Sequence, residues 1–156
     1  MIELQHHQYW MNQALVLAEK AGNEGEIPVG AVIIDQNYKL IASAYNQKEK
    51  FQDCTAHAEI IAIRHACKKL DSWRLNNCTL YVTLEPCFMC AGAIIHSRLK
   101  TLVYAVDDFK TGCIRTVMNL PDSFVSNHNL QVFAGIQEKA SRELLQSWFN
   151  NRRLYR

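Results

Sequence analysis

Near the start of the chain, apolar residues recur at helical spacing. Tyr9, Trp10, Ala14, Leu17, Ala18 and Ala21 share one face of a helix predicted over Gln5–Ala21, and Gly22 and Gly25 close it. The period then shortens. Val29-Gly30-Ala31-Val32-Ile33-Ile34 is an apolar run of strand length, Asp35-Gln36-Asn37 is turn chemistry, and Lys39–Ala44 returns as a second strand, which predicts a hairpin. Tyr45–Cys54 is polar and predicts a loop. Thr55 is placed to cap a helix over Ala56–Leu70, whose apolar face carries Ile60, Ile61, Ile63, Ala66 and Cys67. Thr79–Leu84 is rich in β-formers and runs into Pro86, which suits a first helical turn because its missing N–H needs no partner there. The next helix, Cys87–Ser97, is expected to pack Ala91, Ala93, Ile94 and Ile95. Thr101–Val106 predicts a fourth strand and Leu130–Ala134 a fifth, and between them Asp107–Asn127 is a connection long enough to be functional. Gln137–Arg153 is the last predicted helix, with Leu144, Leu145, Trp148 and Phe149 on its apolar side. Strands alternating with helices predict an α/β sandwich around a mixed sheet.

Size and composition narrow the class without naming a function. A chain of 156 residues fits one domain with one sizeable core, and no linker or repeat divides it. The net charge of +2 is too small to announce a nucleic-acid binder, so local clustering must carry that argument. No apolar run approaches the roughly 20 residues of a membrane span. Met1–Trp10 is polar and carries Glu3, unlike a signal peptide, so a cytoplasmic location without a membrane is expected. In that compartment six cysteines do not read as a disulfide framework.

Two short stretches carry the chemistry. Cys87 and Cys90 are three residues apart and share a helix face at a helix start, where exposed N–H groups favour thiolates. His57, at the start of another helix, completes a three-ligand set for one zinc ion. Such a set leaves a tetrahedral corner for water, whose pKa bound zinc brings to about 7. Glu59 is the candidate catalytic residue, moving protons for that water. In a helix interior two residues this close diverge, whereas a first turn lets both face one cavity.

Other readings of the same residues stand beside this one. Cys-x-x-Cys at a strand-to-helix junction is also redox geometry, against which His57-Ala58-Glu59 and Pro86 weigh. A structural zinc needs a fourth ligand, for which Cys54, Cys67, Cys78, His65 or His96 are available without paired spacing. Cys67 and Cys78 also read as small buried residues, His65 and His96 as surface or core edge, and His6 and His7 as a solvated face.

His57-Ala58-Glu59 followed by Pro86-Cys87-Phe88-Met89-Cys90 resembles the zinc-dependent cytidine and adenosine deaminase superfamily, which is known by this signature. Longer stretches are similar to the bacterial tRNA-specific adenosine deaminase family: Pro28–Val32, Thr55–Ile60, Glu85–Arg98 and Asp108–Gly112. The resemblance implies a cytidine deaminase-like fold, a three-layer α/β/α sandwich around a five-stranded mixed sheet. It implies hydrolytic conversion of adenosine to inosine at the wobble position of a tRNA anticodon. It carries the metal ligands onto His57, Cys87 and Cys90, and the proton shuttle onto Glu59. Substrate binding falls on Asn46 for the base, Val29 beside it, and Asp108 for the ribose, whose 2′-hydroxyl marks RNA. The run Trp148–Arg156 is the best basic-plus-aromatic patch of the chain: Phe149 is a candidate lining residue of the base pocket, with a core position as the alternative, and Lys110, Arg152, Arg153 and Arg156 are candidates for phosphate contacts. Read without the resemblance, Asn46 is a turn residue, Asp108 a solvated turn acid and the cations plain surface charge. The family also implies a homodimer. The chain departs from its pattern at Asp107, where a basic or neutral residue is usual, and at Arg115, where a small one is usual.

Two rivals compete for the function. One is a deaminase of the same fold acting on a free base or nucleotide of guanine or cytidine type. The other is a catalytically silent zinc-binding RNA module.

Overall fold

The computed structural model describes residues 2–154. The element order is α1 (Ile2–Asn23), β1 (Gly30–Ile34), β2 (Leu40–Tyr45), α2 (Lys48–Phe51), α3 (Ala58–Leu70), β3 (Thr79–Leu84), α4 (Phe88–His96), β4 (Thr101–Val106), β5 (Gln131–Ala134) and α5 (Glu138–Arg153). The five strands form one mixed sheet in the order β2-β1-β3-β4-β5. β1 runs antiparallel to β2 and β3, while β3/β4 and β4/β5 are parallel. Alternation along each strand sends side chains to two layers. Ala31, Ile33, Leu80, Val82, Leu102 and Tyr104 pack with Ala58, Ala62, Ala66, Ala91 and Ile94 of α3 and α4. Val32, Ile34, Tyr81, Val103 and Ala105 pack with Met11 and Ala14 of α1 on the other face. Ser141 of α5 donates to the Thr83 carbonyl at 2.6 Å, which seats α5 on that second face. The expected three-layer sandwich is the fold observed. Among the described residues no helix is long and apolar enough to cross a membrane.

The strand directions place the functional residues. Because β3 and β4 are parallel, Leu84 and Val106 end side by side, and the segments after them leave the same edge of the sheet. Because β1 is antiparallel to its neighbours, Gly30 pairs with Tyr45, which brings Val29 and Asn46 to that edge too. Ligands of open α/β sheets gather at such carboxyl ends.

Several local expectations are corrected. Tyr9 is 56% exposed and Met11 takes its place in the core, so the buried face of α1 is rotated toward Met11, Ala14, Ala18 and Ala21. The polar stretch after β2 contains the short helix α2, which no apolar period announces. Thr55 does not cap α3. Its hydroxyl donates to Asp53 at 2.7 Å, and His57 is the N-cap instead. Pro86 stands one residue ahead of the Cys87 N-cap of α4 rather than in its first turn. His7 is half-buried, with Nδ1 2.9 Å from the Tyr81 hydroxyl, so it does not belong to a solvated face.

At Gly30 the sheet lies directly against the backbone of α1. A Cβ there would overlap the Ala14 carbonyl and the Ala18 amide, which are helix backbone and cannot step aside. Gly30→Ala is expected to lower stability by about 3 kcal/mol, the upper range for overpacking, read as a shifted urea midpoint with unchanged slope.

Candidate metal centre and substrate pocket

His57 and Cys87 each sit at the N-cap of a helix, with extended backbone (φ −72°, ψ 151° and φ −73°, ψ 176°). Cys90 lies on the first turn of α4 and is fully buried. His57 Nδ1 is 3.8 Å from Cys87 Sγ and 3.5 Å from Cys90 Sγ. Tetrahedral zinc with bonds of about 2.3 Å to sulfur and 2.0–2.1 Å to nitrogen requires nitrogen–sulfur edges of about 3.6 Å. The donor set therefore fits zinc in both chemistry and spacing. Among the described residues no fourth His, Cys, Asp or Glu joins the cluster. The structural-zinc candidates Cys54, Cys67, Cys78, His65 and His96 are all outside it.

The two thiols are pulled in opposite directions. Cys87 is drawn down to about 4, first by the hydrogen bond with Cys90 and then by His57, against the opposing effect of burial. Cys90 is pushed up by the same hydrogen bond and by burial. His57 is raised, chiefly by its hydrogen bond to Cys87. A metal displaces such protons, so uptake is expected to release them.

Glu59 opens into the same pocket. It is 4% exposed, and burial pushes its carboxyl up to about 7. The extended cap backbone explains how it shares a cavity with His57: the imidazole leaves before the helix begins, while Glu59 belongs to the first turn. Val29, Asn46, Lys48, Ala58, Leu84, Glu85, Cys87, Asp108 and Thr111 complete the lining, with Ile27. Asn46 is buried, and its Oδ1 accepts no hydrogen bond among the described residues, although Nδ2 reaches the Ile27 carbonyl at 3.5 Å. An unpaired buried amide oxygen costs about 1–3 kcal/mol. Asn46 lines the pocket, so a small rotation of its amide would offer this acceptor to a ligand.

The wall opposite β1 is built on Glu85, which sequence reading passed over. Its Oε1 accepts the amides of Ile114 (3.1 Å), Arg115 (2.8 Å) and Thr116 (3.1 Å). Its Oε2 accepts the amide of Asp108 (3.0 Å) and the Thr116 hydroxyl (2.8 Å). Cys113 donates its amide to the Pro86 carbonyl at 2.9 Å, which ties the same loop to the turn that carries Cys87. The Asp108 carboxylate accepts the amides of Lys110 and Thr111 and the Thr111 hydroxyl at 2.6–3.2 Å. Only an anomalous charge within the apolar run Leu84–Met89 hinted at Glu85's importance.

Of the predicted substrate contacts, Asn46, Val29 and Asp108 come together in the metal pocket, and Lys110 and Phe149 do not. Lys110 and Phe149 line an adjoining cavity that shares Ile27, Leu84, Asp108 and Thr111 with it. Phe149, 43% exposed, also lines a third cavity with Arg152, Arg153 and Trp148, which shares Asn46 and Lys48 with the first. Arg152 stacks on the Trp148 ring at 4.2 Å and donates to the Gly25 carbonyl at 2.5 Å. Arg156 lies outside the described residues.

Comparison with known proteins agrees with this geometry. The MafB19-like deaminase family matches residues 5–153. The tRNA-specific adenosine deaminase of Haemophilus influenzae is 48% identical over 143 residues, covering 92% of this chain and 83% of that protein. That of Bacillus subtilis is 44% identical, covering 92% and 89%. A solved tRNA:A34 deaminase, studied for A-to-I editing at the wobble position of transfer RNA, superimposes with a TM-score of 0.85 at 40% identity, covering 88% of this chain and 99% of that one. A guanine deaminase from Nitrosomonas europaea superimposes at 0.77 with 26% identity, covering 90% and 83%.

Replacing Glu85 by Gln substitutes two donors for one acceptor oxygen against a ring of donors. Glu85→Gln is expected to cost about 2–4 kcal/mol, from charged hydrogen bonds of about 1.5–3 kcal/mol each, partly recovered. Hydrogen exchange should quicken first at the amides of Asp108, Ile114, Arg115 and Thr116. Unchanged protection there contradicts the assignment.

Proposed function

Because the chain belongs to the MafB19-like deaminases and, among them, to the tRNA-specific adenosine deaminases, we propose that residues 1–156 work as one deaminase domain built around the pocket of His57, Cys87, Cys90 and Glu59. The enzyme converts adenosine to inosine at the wobble position of a tRNA anticodon. The observation that carries this reading is the metal-ligand triangle set, with a buried carboxyl, on a cavity that Asn46 and Asp108 also line.

The metal in this reading is zinc, held by His57, Cys87 and Cys90. When bound, it supplies Lewis acidity and a water activated near neutral pH. Glu59 takes a proton from the attacking water and delivers it to N1 of the purine ring. A second transfer through the same carboxyl protonates the amine at C6, which leaves as ammonia. Burial holds Glu59 close to the pKa at which it can both accept and donate. Asn46 meets the edge of the base with its free acceptor, and Val29 packs against the ring. Asp108, already fixed by Thr111 and the Lys110 amide, receives the ribose 2′-hydroxyl. Phe149 takes a flanking base, and Lys110 and Arg152 lie within reach of phosphates. A base in an anticodon loop is already unpaired, so turning it into the pocket is cheap.

The working form in this reading is a homodimer. Phe88 beside the metal ligands is 71% exposed, and Val117, Met118, Phe124 and Val125 are exposed as well. Exposed apolar residues so numerous suit an interface.

Incubation with an anticodon arm bearing a wobble adenosine should yield inosine there, with no ammonia above background from free guanine or cytidine. Glu59→Gln should retain zinc while turnover falls by about 10²–10⁴-fold, the usual worth of general acid–base catalysis. Cys90→Ser should lose zinc and activity together. Full turnover in Glu59→Gln removes the proposed role. Sedimentation equilibrium should return about twice the 17.9 kDa chain mass, and a monomer alone contradicts the dimer.

A further inference from the structure

Asp107 and Asp108 are adjacent in sequence, and both line, with Phe109 and Phe149, the cavity that adjoins the metal pocket assigned to a polyanionic substrate. Asp107 does not face that cavity as a free charge. Its Oδ1 accepts Arg115 Nε and its Oδ2 accepts Arg115 Nη2, both at 3.0 Å, so the pair is bidentate. The hydroxyl of Tyr104, a fully buried core residue, donates to the same Oδ1 at 2.8 Å. The guanidinium lies 5.8 Å from the Tyr104 ring centre. At its other end, Arg115 is anchored by its amide on Glu85. The loop from 107 to 116 is thus closed twice, inside by Glu85 and outside by this ion pair.

We propose that Arg115 is a positioning residue for tRNA deamination. Acting through Asp107, it cancels one of two adjacent negative charges on the cavity that adjoins the metal pocket. The proposal rests on the activity assigned above. Arg115 is half exposed, and an ion pair of that exposure contributes little to stability. Its main effect falls on the approach of phosphates, which feel an uncancelled carboxylate over a Debye length of about 8 Å at physiological salt.

The test compares Arg115→Ala, Asp107→Asn and the double variant, using fluorescence anisotropy of a labelled anticodon arm together with KM, kcat and melting temperature. Arg115→Ala should weaken binding and raise KM about fivefold at about 50 mM salt, with kcat within about twofold, as expected of a charge that governs encounter. That defect should shrink toward parity above about 0.3 M salt. The double variant, which has neither charge, should return to within about twofold of the parent. A merely structural clip predicts the opposite: the double variant as impaired as the single one, with a matching loss of melting temperature. That result overturns the proposal, as does a salt-insensitive defect or a fall in kcat at constant KM. If the unaltered protein binds the arm but forms no inosine, the assigned activity fails, while the binding series still decides the role of Arg115.

Discussion

The Glu85 carboxylate is the interaction on which the rest of this site depends. It is almost fully buried, and a charge so placed is tolerated only when its oxygens are saturated. Five donors from one loop do this. Glu85 stands two residues ahead of Cys87 and belongs to the same turn as the metal ligands. The loop that presents Asp108 is therefore held to the turn that holds the thiolates. Gly112 is the other half of this arrangement. A side chain there would collide with Glu85, Thr116 and the Asp108 carbonyl, so the loop can wrap the carboxylate only if that position is bare.

A second buried carboxylate does comparable work on the opposite wall. Glu26 is 1% exposed and accepts the amides of Glu49 and Lys50 at 3.1 and 2.8 Å, which fixes the short helix α2 beside Asn46. Two walls of the substrate pocket, a loop and a short helix, are thus each pinned to a buried anion that precedes them in sequence. Hydrogen bonds to charged groups are stronger and more directional than apolar contacts, so they hold a loop in register where packing alone would let it slide.

What could be read from the sequence follows from this division of labour. The strands and longer helices rest on periodic apolar residues, and their order emerged from pattern alone. The metal triad emerged because ligand chemistry is written in residue type and spacing. Several errors fell where a polar partner outside the element, near or far in sequence, decides the local structure. α2 exists because Glu26 supplies acceptors for its first amides, and nothing between residues 48 and 51 says so. Thr55 looked like a cap, but Asp53 two residues earlier captures its hydroxyl. Asp107 and Arg115 looked like separate departures from a pattern because their pairing needs the intervening loop to be folded. Val29 and Asn46 were placed by resemblance, and the antiparallel β1/β2 register supplies the physical reason they meet.

The two helix starts at the centre show how stability is exchanged for chemistry. A Ser, Thr, Asp or Asn at an N-cap stabilises a helix by about 1 kcal/mol relative to a residue that cannot accept a backbone N–H. Here the caps are His57 and Cys87, and neither makes a side-chain cap hydrogen bond. Their side chains turn toward each other instead, 3.8 Å apart. The extended backbone of a cap allows this, because it releases the residue from the helical screw and lets His57 and Glu59, two apart, share one cavity. The uncapped amides of α4 leave the positive end of its dipole beside two sulfurs, which favours the thiolate form that a cation needs. The residues that would have made these helices more stable are the ones that would have removed the site.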